Sequence, residues 1–495
     1  MAKKDAFTQA RGCFEEMLGW LEGSESAQLS HADLEDEIVR RGREAQRLAF
    51  QDHLDLRALR EQRVRVIDNE GVVHGAIETA HRRQLHTVVG AVGVERLAYR
   101  HVGSANLHPA DAALNLPDQL HSHGLRRLAA VEATRGSFEE ASQAVWRATG
   151  VAVAKRQVED LTSKAAHDVE AFYETREHAE VDEHDALVVS ADGKGIVMRP
   201  DSLREQTAKA AAAATNKLTT RLSKGEKRNR KRMAEVGAVY DVKPVPRTPD
   251  DIMVRKAGEE HPPEAPEAKN KWVTASVVED AAEVVGRLFD EAERRDPEHK
   301  RTWVALVDGN NHQIDRIGAE AKARGVDVTI VVDLVHVLEY LWAAAWCFFA
   351  EGDTAAEGWV RDRALAVLKG RAREVASGIC RRASAEGLAK PKRKKADEAA
   401  RYLKNKAPYL DYPTALAAGW PIASGVIEGT VRHLVRDRMD VTGARWSVDG
   451  AEAVLKLRAV RTNGDLDDYW RFHLDRERQC IHESRYDNGV VPLAA

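Results

Sequence analysis

Cysteine is scarce in this sequence, and the few cysteines are far apart. The 495 residues include only Cys13, Cys347, Cys380 and Cys480, and no Cys-x-x-Cys pair occurs. This spacing argues against a zinc ribbon built from cysteines and against a disulfide framework. Reduced thiols in a cytoplasmic protein are therefore the expectation.

Long apolar runs are also missing, which bears on membrane insertion. The longest, Leu341–Ala350, is about half of the roughly 20 residues that a membrane-spanning helix needs. We interpret it as a core helix and expect no membrane partner. The opening residues, M-A-K-K-D-A-F-T-Q-A, have no apolar run after their lysines, so no signal peptide is predicted.

An excess of one charge is the third feature that the sequence lacks. Its formal net charge is −4, and 43% hydrophobic with 31% charged residues is typical of a soluble globular protein. Any surface for nucleic acid must therefore be a local patch. The length predicts about two to four domains.

Changes in pattern along the chain suggest where its regions begin and end. The first region is helical and is interpreted as a bundle or a coiled-coil-like dimerisation arm. A strand-containing region with a helix-turn-helix, an α/β core, a helical insertion and the rest of the core follow it, and a polar, frayed tail ends the chain. The predicted boundaries are residues 1–65, 66–180, 181–350, 351–415, 416–480 and 481–495.

Ser137–Ser163 has the pattern of a helix-turn-helix. Ser137 with Glu140 forms a capping-box motif, and Thr149-Gly150 ends the first predicted helix. A second helix restarts at Ala154–Leu161, and its first residues would face base edges in DNA. Those residues are Lys155, Arg156 and Gln157. An ordinary helical hairpin is the alternative.

Four histidines follow the first strand-like segments. They are His101, His108, His121 and His123. A zinc site made only of histidines, without cysteine or carboxylate partners, is a poor structural site. We therefore favour their interpretation as loop histidines.

An acidic residue stands in the most strand-like part of the chain. Ala186–Ser190 predicts a buried strand, Asp192 follows in a Gly-Lys-Gly turn, and Ile196–Met198 predicts a second strand. Burying an unpaired carboxylate costs several kcal/mol, so Asp192 must be paired, protonated or bound to a metal. A turn aspartate that accepts a hydrogen bond from its own backbone is the alternative.

A basic patch follows, and its close spacing would attract a phosphate backbone. The patch consists of Arg221, Lys224, Lys227, Arg228, Arg230, Lys231 and Arg232. A solvated helix face is the alternative interpretation. Glu235–Val242 then predicts a third strand, and Lys243–Asn270 contains a proline-rich loop.

Helices and strands alternate after that loop, which indicates an α/β fold class. The strand Trp303–Val307 runs into Asp308, and the strand Val328–Val332 runs into Asp333. Strand ends carry the chemistry of open α/β sheets. The predicted helices between and around these strands are Val277–Arg295, Ile314–Arg324 and Leu334–Phe349.

A third acidic residue lies on a late helix. Ser424 and Gly425 open this helix, Glu428 lies near its start, and Arg432 and Arg436 follow as candidate DNA contacts. Three carboxylates from separate elements, Asp192, Asp308 and Glu428, occur in the order known from a ribonuclease H-like fold. Hard oxygen ligands suit Mg²⁺ or Mn²⁺, and two such ions support phosphoryl transfer.

The chain resembles the bacterial insertion-sequence transposases with an Asp-Asp-Glu site, and most closely the ISKra group. The matching runs are S-A-D-G-K-G-I-V-M-R, V-D-G-N-N-H, V-V-D-L-V-H-V-L-E-Y-L-W, S-G-V-I-E-G-T-V-R-H-L-V-R-D-R-M and T-G-A-R-W-S, within roughly residues 85 to 475. The resemblance implies cleavage and joining of element ends by a homodimer or larger oligomer on DNA, in the nucleoid region of a bacterial cytoplasm. Relatives usually carry cysteines in the segment corresponding to residues 99–111, and this sequence has none.

The resemblance implies that Asp192, Asp308 and Glu428 bind the metals, and that Asp333 with His336 forms the Asp-x-x-His signature of related transposases. Asp308 is the preferred second aspartate because a tight turn after it leaves its carboxylate exposed. Asp333 already has a structural role as a helix cap. A catalytically inactive DNA-binding descendant and a nuclease that only hydrolyses DNA are the alternatives.

Overall fold

The computed structural model describes residues 6–176, 182–213, 230–253, 264–441 and 443–492. These residues form two compact units. One combines residues 6–175 with 464–492, and the other contains the described part of residues 176–463. Among the described residues, no helix is both long enough and apolar enough to cross a membrane.

The first unit begins with a helical hairpin, which is followed by a two-stranded sheet and a group of short helices. Its strands pair antiparallel from Ala76↔Arg100 to Thr87↔Gly90. Leu85 and Val92 on these strands are buried against Leu54. The elements are α1 (Thr8–Leu21), α2 (His31–Arg60), β1 (Ala76–Thr87), β2 (Gly90–Arg100), α3 (Pro109–Ala113), α4 (His123–Arg135), α5 (Phe138–Thr149), α6 (Lys155–Ala165) and α7 (Val169–Thr175).

The second unit is built on a five-stranded mixed sheet with helices around it. Its first elements are β3 (Ala186–Val197), α8 (Glu205–Ala213), β4 (Lys231–Val242), α9 (Pro249–Met253), β5 (Ala268–Ser276), α10 (Ala281–Arg295), β6 (Trp303–Val307), α11 (Asn311–Arg324), β7 (Val328–Val332) and α12 (Leu334–Ala345). The helices that follow are α13 (Ala355–Leu368), α14 (Ala372–Ala385), α15 (Lys390–Lys406), α16 (Tyr412–Ala417), α17 (Gly425–Val431), α18 (Asp437–Met439) and α19 (Val448–Thr462).

The sheet has the strand order β5-β4-β3-β6-β7. Strand β4 is antiparallel to both β3 and β5, whereas β6 runs parallel to β3 and β7 runs parallel to β6. The first six residues of β3 and the whole of β6 are buried, as is usual for parallel strands that helices cover. This arrangement brings the carboxyl ends of β3, β6 and β7 to one edge.

The predicted turn after Asp192 is absent, because β3 is a single strand from Ala186 to Val197. It pairs with β4 along its whole length, including Gly193↔Glu235 and Gly195↔Met233. A Cβ at Gly193 would lie 2.8 Å from the Met233 side chain. The glycines therefore leave room for side chains of the neighbouring strand instead of turning the chain.

Strand β5 was not predicted, since the expected proline-rich loop lay within Lys243–Asn270 and the expected helix began at Val277. The segment A-K-N-K-W-V-T-A-S forms this edge strand instead, with Trp272 and Val273 buried. The helix begins later, at Ala281, where Asp280 caps it through the backbone N–H groups of Ala282 and Glu283.

Residues 464–492 belong to the first unit, which differs from the predicted frayed tail and from the predicted core boundary at residue 480. Helix α20 (Leu466–Ile481) belongs to this unit. The Tyr469 hydroxyl donates to the Ala165 carbonyl at 2.5 Å, and the Phe172 ring contacts the Tyr469 ring. Tyr486 is buried beside Val66. Aromatic contacts therefore fix residues that appear polar in sequence.

Candidate active site

Asp192 lies within β3, at the centre of the sheet, and its side chain is half-buried. Its Oδ1 accepts a hydrogen bond from the Gly193 backbone N–H at 2.6 Å. Burial raises the pKa of the Asp192 carboxyl above its ordinary value, and the carboxylates of Asp308 and Glu428 raise it further. His336 acts in the opposite direction. Asp308, His336 and Glu428 are therefore close enough to Asp192 to affect the pKa of its carboxyl.

Asp308 directly follows β6, where the chain turns sharply. Gly309 has a positive φ of 88°, and the Asn310 backbone N–H donates to Asp308 Oδ1 at 2.7 Å. The Tyr402 hydroxyl donates to the Asp308 carbonyl oxygen at 3.1 Å. The Asp308 side chain remains half-buried and lines an open cavity, so its carboxylate is accessible to a ligand.

Asp333 follows β7, and its side chain is fully buried. Its Oδ1 caps helix α12 by accepting the Val335 backbone N–H at 2.7 Å. Its Oδ2 accepts the hydroxyl of Ser424, the residue before helix α17. Both carboxylate oxygens of Asp333 thus have partners, and together they join the starts of two helices.

Glu428 is exposed on the first turn of α17, and its backbone N–H donates to the Ser424 carbonyl at 3.1 Å. One ligand atom from each of Asp333, His336 and Glu428 lies within 4.8 Å of the other two. Among the described residues, this is the one group of three or more potential ligands with such spacing. His336 Nδ1 is also 3.1 Å from a Glu339 carboxylate oxygen.

The chain forms a π-helical turn at Arg432–Arg436, soon after Glu428. The buried Arg458 guanidinium donates to the Leu434 carbonyl at 2.9 Å and also to the His433 carbonyl. π-Turns within helices are frequent at functional sites. Arg458 was not predicted as a site residue, because no local pattern links it to residues more than 20 positions earlier.

The arginines on this turn point outward. Arg432 and Arg436 are exposed, and Arg432 Nε lies 3.8 Å from an Asp437 carboxylate oxygen. They therefore remain accessible on the segment that carries Glu428. An exposed pair of this kind contributes little stability, so it leaves Arg432 available to an anionic ligand.

The candidate helix-turn-helix forms the two helices that its sequence predicts. Ser137 and Glu140 make both hydrogen bonds of a capping box, and Gly150 ends α5 in the left-handed conformation with φ of 70°. Helix α6 starts at Lys155, and its first residues are exposed. Gln157 has an additional structural role, because its Oε1 accepts the Ala154 backbone N–H at 3.1 Å.

The basic patch has a different environment from the one expected. Arg228 lies outside the described residues, as do Arg221, Lys224 and Lys227. Lys231 and Arg232 belong to β4, whereas Arg230 directly precedes it. Arg232 Nε donates to the Val277 carbonyl at 2.6 Å, and Lys231 Nζ lies 3.7 Å from Asp440. These two cations are therefore partly engaged within the protein.

The four histidines of the first unit occupy separate positions. His108 Nε2 is 3.1 Å from His81 Nδ1, and the rings of His121 and His86 meet edge to face. His123 Nε2 contacts the Asn115 carbonyl at 2.6 Å. His101 lies next to the His74 ring, with centroids 6.0 Å apart.

In the second unit, Asp333, His336 and Glu428 form the one described group with the spacing to share an ion, and the carboxylates of Asp192, Asp308, Asp333 and Glu428 offer oxygen ligands. Their oxygen atoms are hard ligands, and the raised pKa of Asp192 reflects burial together with carboxylate repulsion that a cation would relieve. Asp192, Asp308 and Glu428 have accessible carboxylates, whereas both oxygens of Asp333 accept hydrogen bonds. His336 offers a nitrogen ligand beside them. The chain matches no known protein-family model, and no curated protein matches it either.

Proposed function

We propose that this protein is a DNA transposase, which cleaves and joins the ends of an insertion sequence by metal-dependent phosphoryl transfer. The observation that carries the proposal is that Asp192 and Asp308 each lie three residues beyond the β3–β6 pair Val189↔Ala305, on neighbouring parallel strands. The carboxylates of Asp308 and of Glu428, on a late helix, both raise the pKa of Asp192. Such a site matches the chemistry of two-metal catalysis, in which carboxylates hold ions on both sides of the reacting phosphate.

The sheet supports a ribonuclease H-like core for this site. Three antiparallel strands are followed by two strands parallel to the first, with the first strand at the centre. Asp192 lies on that first strand, and Asp308 follows the neighbouring parallel strand. The helices α13–α16 between α12 and Glu428 correspond to the predicted insertion.

Each residue has a proposed role. Asp192, Asp308 and Glu428 would hold two Mg²⁺ or Mn²⁺ ions, which activate the attacking oxygen and stabilise the leaving oxygen when bound. His336 lies beside Asp333 and Glu428 and would orient Asp333 or bind the leaving strand. Asp333 is a positioning residue, because its hydrogen bond from Ser424 fixes the start of the helix that carries Glu428.

DNA is the proposed partner, and a homodimer or larger oligomer would bring two element ends together. The exposed front of α6, with Lys155 and Arg156, would read the terminal sequence. Arg432 and Arg436 would contact phosphates near the site.

The test uses the purified full chain, Mg²⁺, a target plasmid and labelled duplexes taken from the DNA that flanks the gene. The proposal requires Mg²⁺-dependent strand cleavage and joining of a labelled end to the plasmid. Asp192→Asn and Glu428→Gln should lose both products while they retain DNA binding. Cleavage without joining would indicate a nuclease, and binding without cleavage would indicate an inactive DNA-binding descendant.

A further inference from the structure

A cavity of about 680 Å³ opens beside Asp308 in the second unit. Helix α12 forms one wall and helix α15 of the insertion forms the other, while residues 308–311 form the edge nearest the carboxylates. Its size lies within the range of about 300–1,000 Å³ that is typical of ligand sites. None of the roles assigned above uses the helix α15 side of this cavity.

Helix α15 presents three cations, one amide and the Glu398 carboxylate to the cavity. Lys395 is paired with Glu398 at 2.8 Å, and Lys406 donates to the Asn311 side chain. Arg401 and Asn405 also line the cavity, and the Arg401 guanidinium helps to lower the pKa of the nearby Glu398 carboxyl. The Arg401 side chain is exposed, and a guanidinium is well suited to bind a phosphate group.

Two tyrosines add a flat, rigid surface. The Tyr340 ring on α12 and the Tyr402 ring on α15 stack with centroids 3.9 Å apart and an interplanar angle of 17°. The Tyr402 hydroxyl donates to the Asp308 carbonyl, so the stack is fixed relative to the acidic site. Gly309 permits this approach, since a Cβ there would lie 2.6 Å from the Tyr402 hydroxyl oxygen.

We propose that this cavity receives one unpaired nucleotide of the DNA strand, next to the phosphate that is cleaved. Its phosphate would contact Arg401, its base would lie against Tyr340, and Asn405 would hydrogen-bond an exposed edge. This inference rests on the proposed function, because it takes DNA as the ligand of the Asp308 site. Cations combined with aromatic rings are the usual means of holding single-stranded nucleic acid.

Photochemical crosslinking tests the location directly. A series of element-end duplexes would carry 5-iododeoxyuridine at one position each, on either side of the cleavage point, with Ca²⁺ present to support binding without cleavage. Mass spectrometry should map crosslinks from one or two adjacent positions to Tyr340 or Tyr402. Crosslinks that map only to other peptides would overturn the proposal.

Affinity measurements with matched variants provide the second test. Arg401→Ala and Tyr340→Leu should weaken binding of element-end DNA in Ca²⁺ by roughly 5- to 100-fold, the range expected for losing a stacked base or its phosphate contact. Lys404→Ala is the control, because Lys404 is exposed on the same helix but does not line the cavity. Circular dichroism and thermal unfolding would establish that each variant is folded.

The two proposals fail in different ways. If the wild-type protein cleaves and joins DNA but Arg401→Ala and Tyr340→Leu bind like Lys404→Ala, the cavity proposal is wrong and the transposase proposal stands. If the wild-type protein crosslinks through Tyr340 or Tyr402 but never cleaves, the nucleotide site stands and the catalytic function is wrong.

Discussion

At the scale of single residues, Asp308 and Asp333 are the two candidates for the second metal-binding aspartate. Both follow parallel strands. In the sequence they differ only in the next element, which is a tight turn after Asp308 and a helix after Asp333. The structure adds that Asp333 is fully buried and hydrogen-bonded through both oxygens, whereas Asp308 lines an open cavity. The contact between Asp333 and Ser424 joins residues 91 positions apart, so no local pattern could have predicted it.

The first prediction separates these two aspartates. Asp308→Asn should abolish Mg²⁺-dependent cleavage and leave thermal unfolding unchanged, because it removes a metal-binding charge from an accessible side chain. Asp333→Asn should retain part of the activity and lower the stability by about 1 kcal/mol, because it weakens a cap and a charge-assisted hydrogen bond. Cleavage assays and thermal unfolding of both variants provide the measurement.

The two assignments would have to be exchanged if the Asp308→Asn protein cleaved DNA normally while the Asp333→Asn protein was folded but inactive. The close spacing of Asp333, His336 and Glu428 is the geometry that would then explain metal binding.

Arg458 provides a second prediction at this scale. Its guanidinium donates to the His433 and Leu434 carbonyls, so Arg458→Ala should leave backbone acceptors of the π-turn without these partners. We expect a loss of about 1–3 kcal/mol and faster hydrogen exchange across residues 425–439. Arg445→Ala is the control, because Arg445 is exposed and makes no hydrogen bond in the described structure. Equal exchange in both variants would refute this role.

At the scale of elements, the sequence predicts regular elements well where apolar patterns are strong. The bounds predicted for β6 and β7 agree with the structure, since both are short apolar runs that end in aspartate. The pattern fails at β3, where Gly193 and Gly195 suggest a turn but instead accommodate β4 side chains. It also fails at β5, where Lys269 and Lys271 conceal an edge strand.

The helix-turn-helix provides the prediction at this scale. Changing Lys155 and Arg156 together to Ala should reduce the preference for element ends over random DNA, since both residues are exposed at the front of α6. Gln157→Ala belongs in a separate variant, because Gln157 also caps the helix. Gel-shift competition at several salt concentrations measures the preference.

Lys164→Ala is the matched control for that experiment, because Lys164 is exposed in the last turn of the same helix. A variant that merely lost phosphate contacts would bind all sequences more weakly and show a flatter salt dependence. Unchanged discrimination by the Lys155 and Arg156 double variant would contradict base recognition by α6.

At the scale of the whole molecule, the two units differ in how their polar groups are arranged. The second unit gathers carboxylates at one edge of its sheet, and their order along the chain was sufficient to suggest the site. The first unit instead buries several histidines, and two of them, His473 and His482, belong to its C-terminal segment. His482 illustrates this, because its Nε2 contacts the Leu116 carbonyl at 2.8 Å, a contact between residues 366 positions apart. Contacts at such separation depend on packing that sequence patterns do not encode.

These histidines predict that the first unit is sensitive to acid. Burial lowers the pKa of His108 to about 4, and it also lowers the pKa values of His121, His123 and His482. The ordinary pKa of histidine is about 6.5, so below this pH the unfolded chain binds protons that the folded unit does not. The stability of the unit should therefore decrease as the pH falls from 7.5 to 5.5.

Hydrogen exchange of β1 and β2, corrected for the intrinsic effect of pH, measures this change. His108→Gln should reduce the pH dependence, because it removes one group that is protonated only on unfolding. His108 is also surrounded by Asp111, Arg96, His81 and Arg485, so the substitution keeps a polar side chain there. His53→Gln is the control, because His53 is exposed on α2. A first unit equally stable at both pH values would show that these histidines are protonated without unfolding.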